Sequence, residues 1–197
     1  MTFVVRTTEN VPAVLALSRF LKGHHGFIAG GAFKNILAGA PVRDVDLFFR
    51  SATDWEKAHR KFSKSSRYVE GYSNEKVASF IEETTGIRVE LIRYRWGTPE
   101  EVIGEFDFTV TKFAMDRADE GFALTHHADF FEHLFMHRLV IDDVLVKPIS
   151  TFERAFKYRG YGFRLCRESK AKLLAAIQSL GVLDDEALSA SLYDGID

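Results

Sequence analysis

At 197 residues, with 46% hydrophobic and 27% charged side chains, the chain has room for one substantial core and a small appendage. A net charge of −2 excludes a global field holding it on nucleic acid or an anionic membrane, and leaves room for a local basic groove. The lone Cys166 excludes an internal disulfide and a cysteine-based zinc site. No stretch reads as a secretory leader or a membrane span, so a cytoplasmic protein with no membrane partner is expected. Eighteen phenylalanines predict a core built from large rings.

In chain order, "NVPAVLALSRFLKG" predicts a first helix: Asn10 can cap it, Pro12 suits its first turn and Gly23 ends it. "GFIAGG" is a short buried strand running into Gly30 and Gly31. "AFKNILAGAP" is a brief helix stopped by Gly39 and Pro41, and "VRDVDLFFR" is a strand. "TDWEKAHRKF" predicts a helix with Thr53 and Glu56 in capping-box spacing and Trp55, Ala58 and Phe62 on one face.

"KVASFIEETTGIRVELIRYR" predicts two strands joined by a turn ending in Gly86, with Val89, Leu91 and Arg93 facing one way and Arg88, Glu90 and Ile92 the other. Thr98 and Glu101 cap a short helix over "TPEEVIGEF", and "DFTVTKFAMD" reads as an alternating strand. A helical patch surrounds Phe131 to His137, and from "STFERAFKYRGYGF" onward the pattern is helical to the end. A soft boundary near Lys147 and Pro148 divides a mixed α/β unit, residues 1–147, from a helical neck, residues 148–197.

Asp44 and Asp46 sit two apart on a strand, so both carboxylates project from one face and repel. A hard divalent cation between them relieves that repulsion; a solvated strand edge is the plainer alternative. Gly30 and Gly31, at a strand-to-helix turn, let backbone approach a ligand near free N–H groups, which suits phosphate. Lys34 and Asn35, in the first turns of that helix, can add a contact or simply be solvated. His126, His127, His133 and His137 lack catalytic zinc spacing and read as surface or packing residues. Cys166 has no partnered histidine in a motif and is not read as a nucleophile.

Gly-Gly, a short helix, a turn and then Asp-x-Asp in an apolar strand resembles the signature of the DNA polymerase β nucleotidyltransferase superfamily. The likeness is to the head domain of bacterial-type poly(A) polymerases and tRNA CCA-adding enzymes. Where that family has G-G-x-V-R-D-x-L-L-G, this chain has "GGAFKNILAG", with Lys34 for the arginine and Asn35 for the aspartate. "VELIRYR" resembles the family's third acidic strand, which makes Glu90 the third metal-site acid or general base. "EFDFTV" resembles R-R-D-F-T-I, whose aspartate reads the sugar of the incoming nucleotide, here Asp107, with Glu105 and Phe106 in place of two arginines. "STFERAFKYRGYGFRL" resembles the helix that follows the head, with Arg154 and Lys157 facing phosphates; the alternative is a solvated face with Phe152, Phe156 and Phe163 packing inward.

The resemblance covers Phe27 to about Phe163 as four short motifs in the family's order. It implies an α+β (mixed α/β) head with a mixed sheet flanked by helices, followed by a short helical neck. It also implies two Mg²⁺ (or Mn²⁺) ions on Asp44, Asp46 and Glu90, an NTP such as ATP seated on Gly30, Gly31 and Lys34 and contacted by Asp107, Arg154 and Lys157, and transfer of a nucleotidyl group to a hydroxyl. The acceptor is an RNA end, a protein or a small molecule. The replaced arginines also admit a module that binds or senses a nucleotide with weakened catalysis. Stand-alone heads of this kind resemble proteins often found in bacteriophage genomes.

Overall fold

The computed structural model describes residues 10–142, 145 and 147–181. The chain forms two compact units, residues 1–104 with 111–128, and residues 105–110 with 129–197. The side chain of Asn10, the expected cap, and the predicted helical run beyond residue 181 lie outside what is described.

The first unit opens with α1 (Asn10–Ala16), which tightens into a 3₁₀ turn over Leu17–Leu21. β1 (Phe27–Ala29), α2 (Gly31–Leu37) and β2 (Asp44–Phe49) follow where the glycine and proline signals place them. α3 (Ala52–Ser63) is capped by Ser51, whose Oγ accepts from Asp54 N at 3.2 Å, so the cap lies two residues before the expected Thr53. Ala58 and Phe62 are buried along its inner face as predicted.

β3 (Tyr68–Ser73), β4 (Val77–Glu82), β5 (Arg88–Trp96), α4 (Pro99–Gly104), β6 (Phe113–Arg117) and β7 (Phe122–His126) complete the unit. The Thr98–Glu101 capping box forms in both directions: Thr98 N donates to Glu101 Oε2 at 2.8 Å, and Glu101 N to Thr98 Oγ1 at 3.3 Å. The strand expected from Asp107 starts later, at Phe113, because Thr109–Thr111 winds into a 3₁₀ turn first.

The seven strands form one mixed sheet in the order β3-β4-β5-β2-β1-β6-β7, parallel only where β2 meets β5. Register assigns its two faces. Val45, Leu47, Val89, Leu91, Ala78 and Phe80 share one face and are buried. α3 covers that face: Phe62 and His59 meet the Phe80 ring at 5.4 and 5.6 Å, and Trp55 Nε1 donates to Leu91 O. The opposite face carries Asp44, Asp46, Arg88, Glu90 and Ser79.

The second unit holds α5 (Phe130–Phe135), β8 (Arg138–Leu139), α6 (Pro148–Gly160), β9 (Arg164–Leu165) and α7 (Arg167–Ser179), with β8 and β9 paired in parallel. Pro148 opens α6, where a missing N–H is harmless. Cys166 caps α7, its Sγ accepting from Ser169 N. The ring-rich core is real in both units: Phe20, Phe27, Phe33, Phe49 and Phe80 are fully buried in the first, Phe108 and Phe130 in the second. Phe152 and Phe156 do not pack inward; they are 42% and 59% exposed, while Phe163 is buried. α6 buries Thr151 and Ala155, one turn apart, so residues one position further round face outward.

Candidate active site

The β2–β5 pair assembles the acids. Asp46 and Glu90 are register partners across two parallel strands, and Asp44 lies one pleat along from Asp46 opposite Arg88. Partners in register point the same way, so the three carboxylates share the face that α3 leaves uncovered. Their placement follows from a sequence in which apolar residues alternate with the acids and belong to the helix-covered side. Asp44 is exposed and Asp46 half-buried, and Arg88 Nη1 lies 3.7 Å from Asp44 Oδ1. Glu90 Oε1 accepts a hydrogen bond from Tyr72 Oη at 2.6 Å.

Tyr72 is the residue of this face that sequence reading missed; its strand is an exposed edge without clean alternation. Burial, the hydrogen bond to Glu90 and the charges of Glu90 and Asp46 together push its phenol well above the usual tyrosine range, against the opposing pull of Arg88.

The two glycines stand next to the acids, since Ala29, immediately before them, is the register partner of Asp46 on β1. Gly30 caps α2 at φ 100°, a conformation that favours glycine, and its N–H is committed to Phe113 O at 2.9 Å. Gly31 begins the helix with open space where a β-carbon would stand. Lys34 is 3% exposed and its Nζ donates to Asn35 Oδ1 at 2.6 Å, so the ammonium is engaged inside the unit.

The remaining candidates belong to the second unit. Arg154 clasps Asp107, Nε to Oδ2 at 2.6 Å and Nη2 to Oδ2 at 2.5 Å, and Lys157 is exposed on the same helix. Every residue of the Asp-Phe-Thr run is used there. Phe108 is buried against the Tyr158 ring at 5.6 Å, and Thr109 Oγ1 lies 2.8 Å from Nδ1 of the buried His133. His133 is therefore a packing residue. His137 adopts φ 51° with its ring 5.2 Å from Phe163, and in the first unit His126 stacks on Phe113 at 5.4 Å.

Asp44, Asp46 and Glu90 offer only hard oxygen donors, which suits Mg²⁺ or Mn²⁺. Among the described residues no group of three or more His, Cys, Asp or Glu side chains is already gathered for a metal. Mg²⁺ takes only a few carboxylate oxygens and fills its shell with phosphate and water. No helix among the described residues is long and apolar enough to cross a membrane.

The fold is shared with solved structures. A tRNA nucleotidyltransferase complexed with a primer tRNA and an incoming ATP analogue matches with a TM-score of 0.62 and 20% identity, over 92% of this chain and 54% of that one. A CCA-adding enzyme complexed with CTP matches at 0.61 and 17%, over 96% and 49%. The Bacillus stearothermophilus CCA-adding enzyme, also with CTP, matches at 0.56 and 17%, over 93% and 48%. At these identities the likeness is one of fold. In sequence, the chain is 26% identical over 169 residues to "Gabija anti-defense 2" of Bacillus phage SPbetaL7, covering 85% of this chain and 41% of that protein. The chain thus spans about half the length of the solved structures it matches and less than half of that phage protein. A family model fits residues 6–137, two thirds of the chain and the whole of the glycine and acid face, and by that match the chain belongs to the Gabija anti-defense 2 family.

Proposed function

We propose that this protein is a nucleotidyltransferase that moves a nucleoside monophosphate from an NTP to a hydroxyl. The observation that carries the reading is the register pairing of Asp46 with Glu90, with Asp44 one pleat away and Gly30–Gly31 beginning one residue past Asp46's other neighbour, Ala29. Three acids and an open glycine turn on one uncovered sheet face suit a triphosphate and its counter-ion.

In this reading Asp44, Asp46 and Glu90 hold Mg²⁺, which when bound supplies the positive charge that offsets the triphosphate and the developing oxyanions. The protein's own residues do the rest. Gly30, at φ 100°, turns the chain so that the start of α2 lies beside the acids, and the missing side chain of Gly31 leaves room for phosphate. Glu90, the acid furthest from the glycines, accepts the proton of the acceptor hydroxyl. The acids lie within the first three residues of β2 and β5 on a rigid sheet, so their spacing needs little reorganisation.

A second reading, a nucleotide-binding module with weakened turnover, is favoured by the Arg88–Asp44 pair and by Glu105 and Phe106 in the positions of two family arginines. The experiment is to incubate the protein with each labelled NTP, Mg²⁺ and candidate acceptors beside Asp46→Ala. Turnover that the variant loses supports transfer. Tight NTP binding without turnover supports the module, and neither sinks both. The phage relative's name motivates a biological role against the Gabija defence, tested by whether this chain, and not Asp46→Ala, restores phage growth on cells carrying that system.

A further inference from the structure

Tyr72 stands on the acid face without a part in the transfer described above, and its position is built by the strand that carries it. β3 pairs with β4 at Tyr68–Glu82, Val69–Ile81 and Glu70–Phe80, then at Ser73–Ala78, with one residue more on β3 between those points. That bulge sets both Gly71 and Tyr72 against Ser79. Without it Tyr72 would oppose Ala78 and lie on the helix-covered side. With it, Tyr72 lies on the side of Ser79, Glu90 and Asp46. Gly71 permits the close approach, since a β-carbon there would come within 2.5 Å of Ser79 Oγ. Ser79 is the register partner of Glu90, and its buried Oγ has no hydrogen-bond partner among the described residues, a polar atom left over on the same face.

A phenol that donates to Glu90 Oε1 at 2.6 Å holds the place an acceptor hydroxyl would take beside a proton-accepting carboxylate. Arg88 lies 5.8 Å over the same ring, and Tyr72 is still 39% exposed, so a triphosphate can reach it. Resting on the transfer reading above, we propose that Tyr72 is itself an acceptor and that the protein nucleotidylates its own side chain. Tyr72 Oη forms a bond to the α-phosphorus of a bound NTP, and the phenolic proton passes to Glu90. The bond from the α-phosphorus to the oxygen bridging it to the β-phosphorus breaks, and pyrophosphate leaves with that electron pair. The product is a nucleoside monophosphate in phosphodiester linkage to Tyr72. The NTP is the sole co-reactant, and a preset hydroxyl gives the intramolecular reaction its advantage over a diffusing acceptor.

The test uses the full chain with Mg²⁺ and each of the four NTPs, read by intact mass, by the mass of the protein as purified from cells, and by peptide mapping. Trypsin cuts after Arg67 and Lys76, so Tyr68 and Tyr72 share a peptide and fragmentation must separate them. The expected result is one nucleotidyl adduct on Tyr72. It is absent from Tyr72→Phe, retained in Tyr68→Phe, and formed about 100-fold more slowly or worse in Glu90→Gln. Binding of an NTP analogue with a non-cleavable α,β-bridge is measured alongside. If the protein binds the analogue and nucleotidylates an added acceptor while Tyr72 stays unmodified, or if the adduct sits elsewhere, the proposal is overturned and the transfer reading stands. No NTP binding and no pyrophosphate release overturn both. Should Tyr72→Phe misfold, the peptide map of the unaltered protein decides.

Discussion

Arg154 and Asp107 form a clasp within the second unit, two guanidinium nitrogens meeting one carboxylate oxygen at 2.6 and 2.5 Å. The carboxylate is nearly buried while the guanidinium is one-third exposed, so the pair is only partly desolvated. Removing Arg154 leaves an uncompensated buried charge. Arg154→Leu is expected to destabilise the protein by about 2 kcal/mol, less than a fully buried pair would cost. Asp107→Asn combined with Arg154→Leu should recover part of that loss, as read by urea unfolding of both variants.

Glu82 is fully buried at the end of β4 and receives Arg19, Arg67 and Thr85 Oγ1. Burial alone would push its carboxyl up, but the hydrogen bonds from Thr85, Arg19 and Arg67 outweigh it and hold the group below the usual carboxylate range. A depressed carboxylate contributes stability above its unfolded value, and that contribution is lost as pH falls through the folded one. Glu82→Gln should therefore lower the urea midpoint at pH 7 and narrow its difference from the parent protein in strong acid. A loss of about 3 kcal/mol at neutral pH is expected, because two arginines lose their shared partner.

His24 is buried, with Nε2 donating to Phe20 O at 2.7 Å and Nδ1 accepting from Gly26 N at 3.0 Å. Both contacts are satisfied by the neutral ring. Burial, with smaller contributions from Lys61, Arg117 and His25, lowers its pKa to about 4, the hydrogen bond to Phe20 opposing. Between that value and the unfolded value near 6.5, the unfolded chain binds the proton and the folded one does not. Stability from this group is complete above about pH 6.5 and falls by about 3 kcal/mol on the way to pH 4. His24→Gln should flatten that part of the profile, measured as unfolding midpoint against pH.

Gly30→Ala places a β-carbon on a residue at φ 100° whose N–H must still reach Phe113 O. The strain is expected to cost about 1–3 kcal/mol. NTP affinity should fall in both Gly30→Ala and Gly31→Ala, but only Gly30→Ala should also lose stability, since the Gly31 methyl meets no protein atom. Calorimetric titration with an NTP analogue checks the first expectation and urea unfolding the second.

Strong local signals made much of the first unit legible. The glycine pair and Pro41 bracket β1, α2 and β2, and the apolar–acid alternation of "VELIR" gives Glu90 its face opposite Val89. The Thr98–Glu101 box capped α4 as expected. β3 was not legible, because an edge strand exposed on both sides lacks alternation and its bulge breaks the period of two. Ser51 displaced Thr53 as the cap because Asp54 engages it through both N–H and carboxylate. Asp107 to Thr109 alternates like a strand, yet Arg154, Tyr158 and His133 each claim one of its side chains, and those partners are distant in sequence. The exposure of Phe152 and Phe156 follows from which stripe of α6 is buried, something helical spacing alone leaves open.

The bulge in β3 makes strand register, as much as residue identity, a determinant of what faces Glu90. Were the Glu70–Phe80 register to run on without the bulge, Tyr72 would oppose Ala78, turn towards α3 and leave the acids. A shift of register at this edge is thus a switch of chemistry rather than of fold.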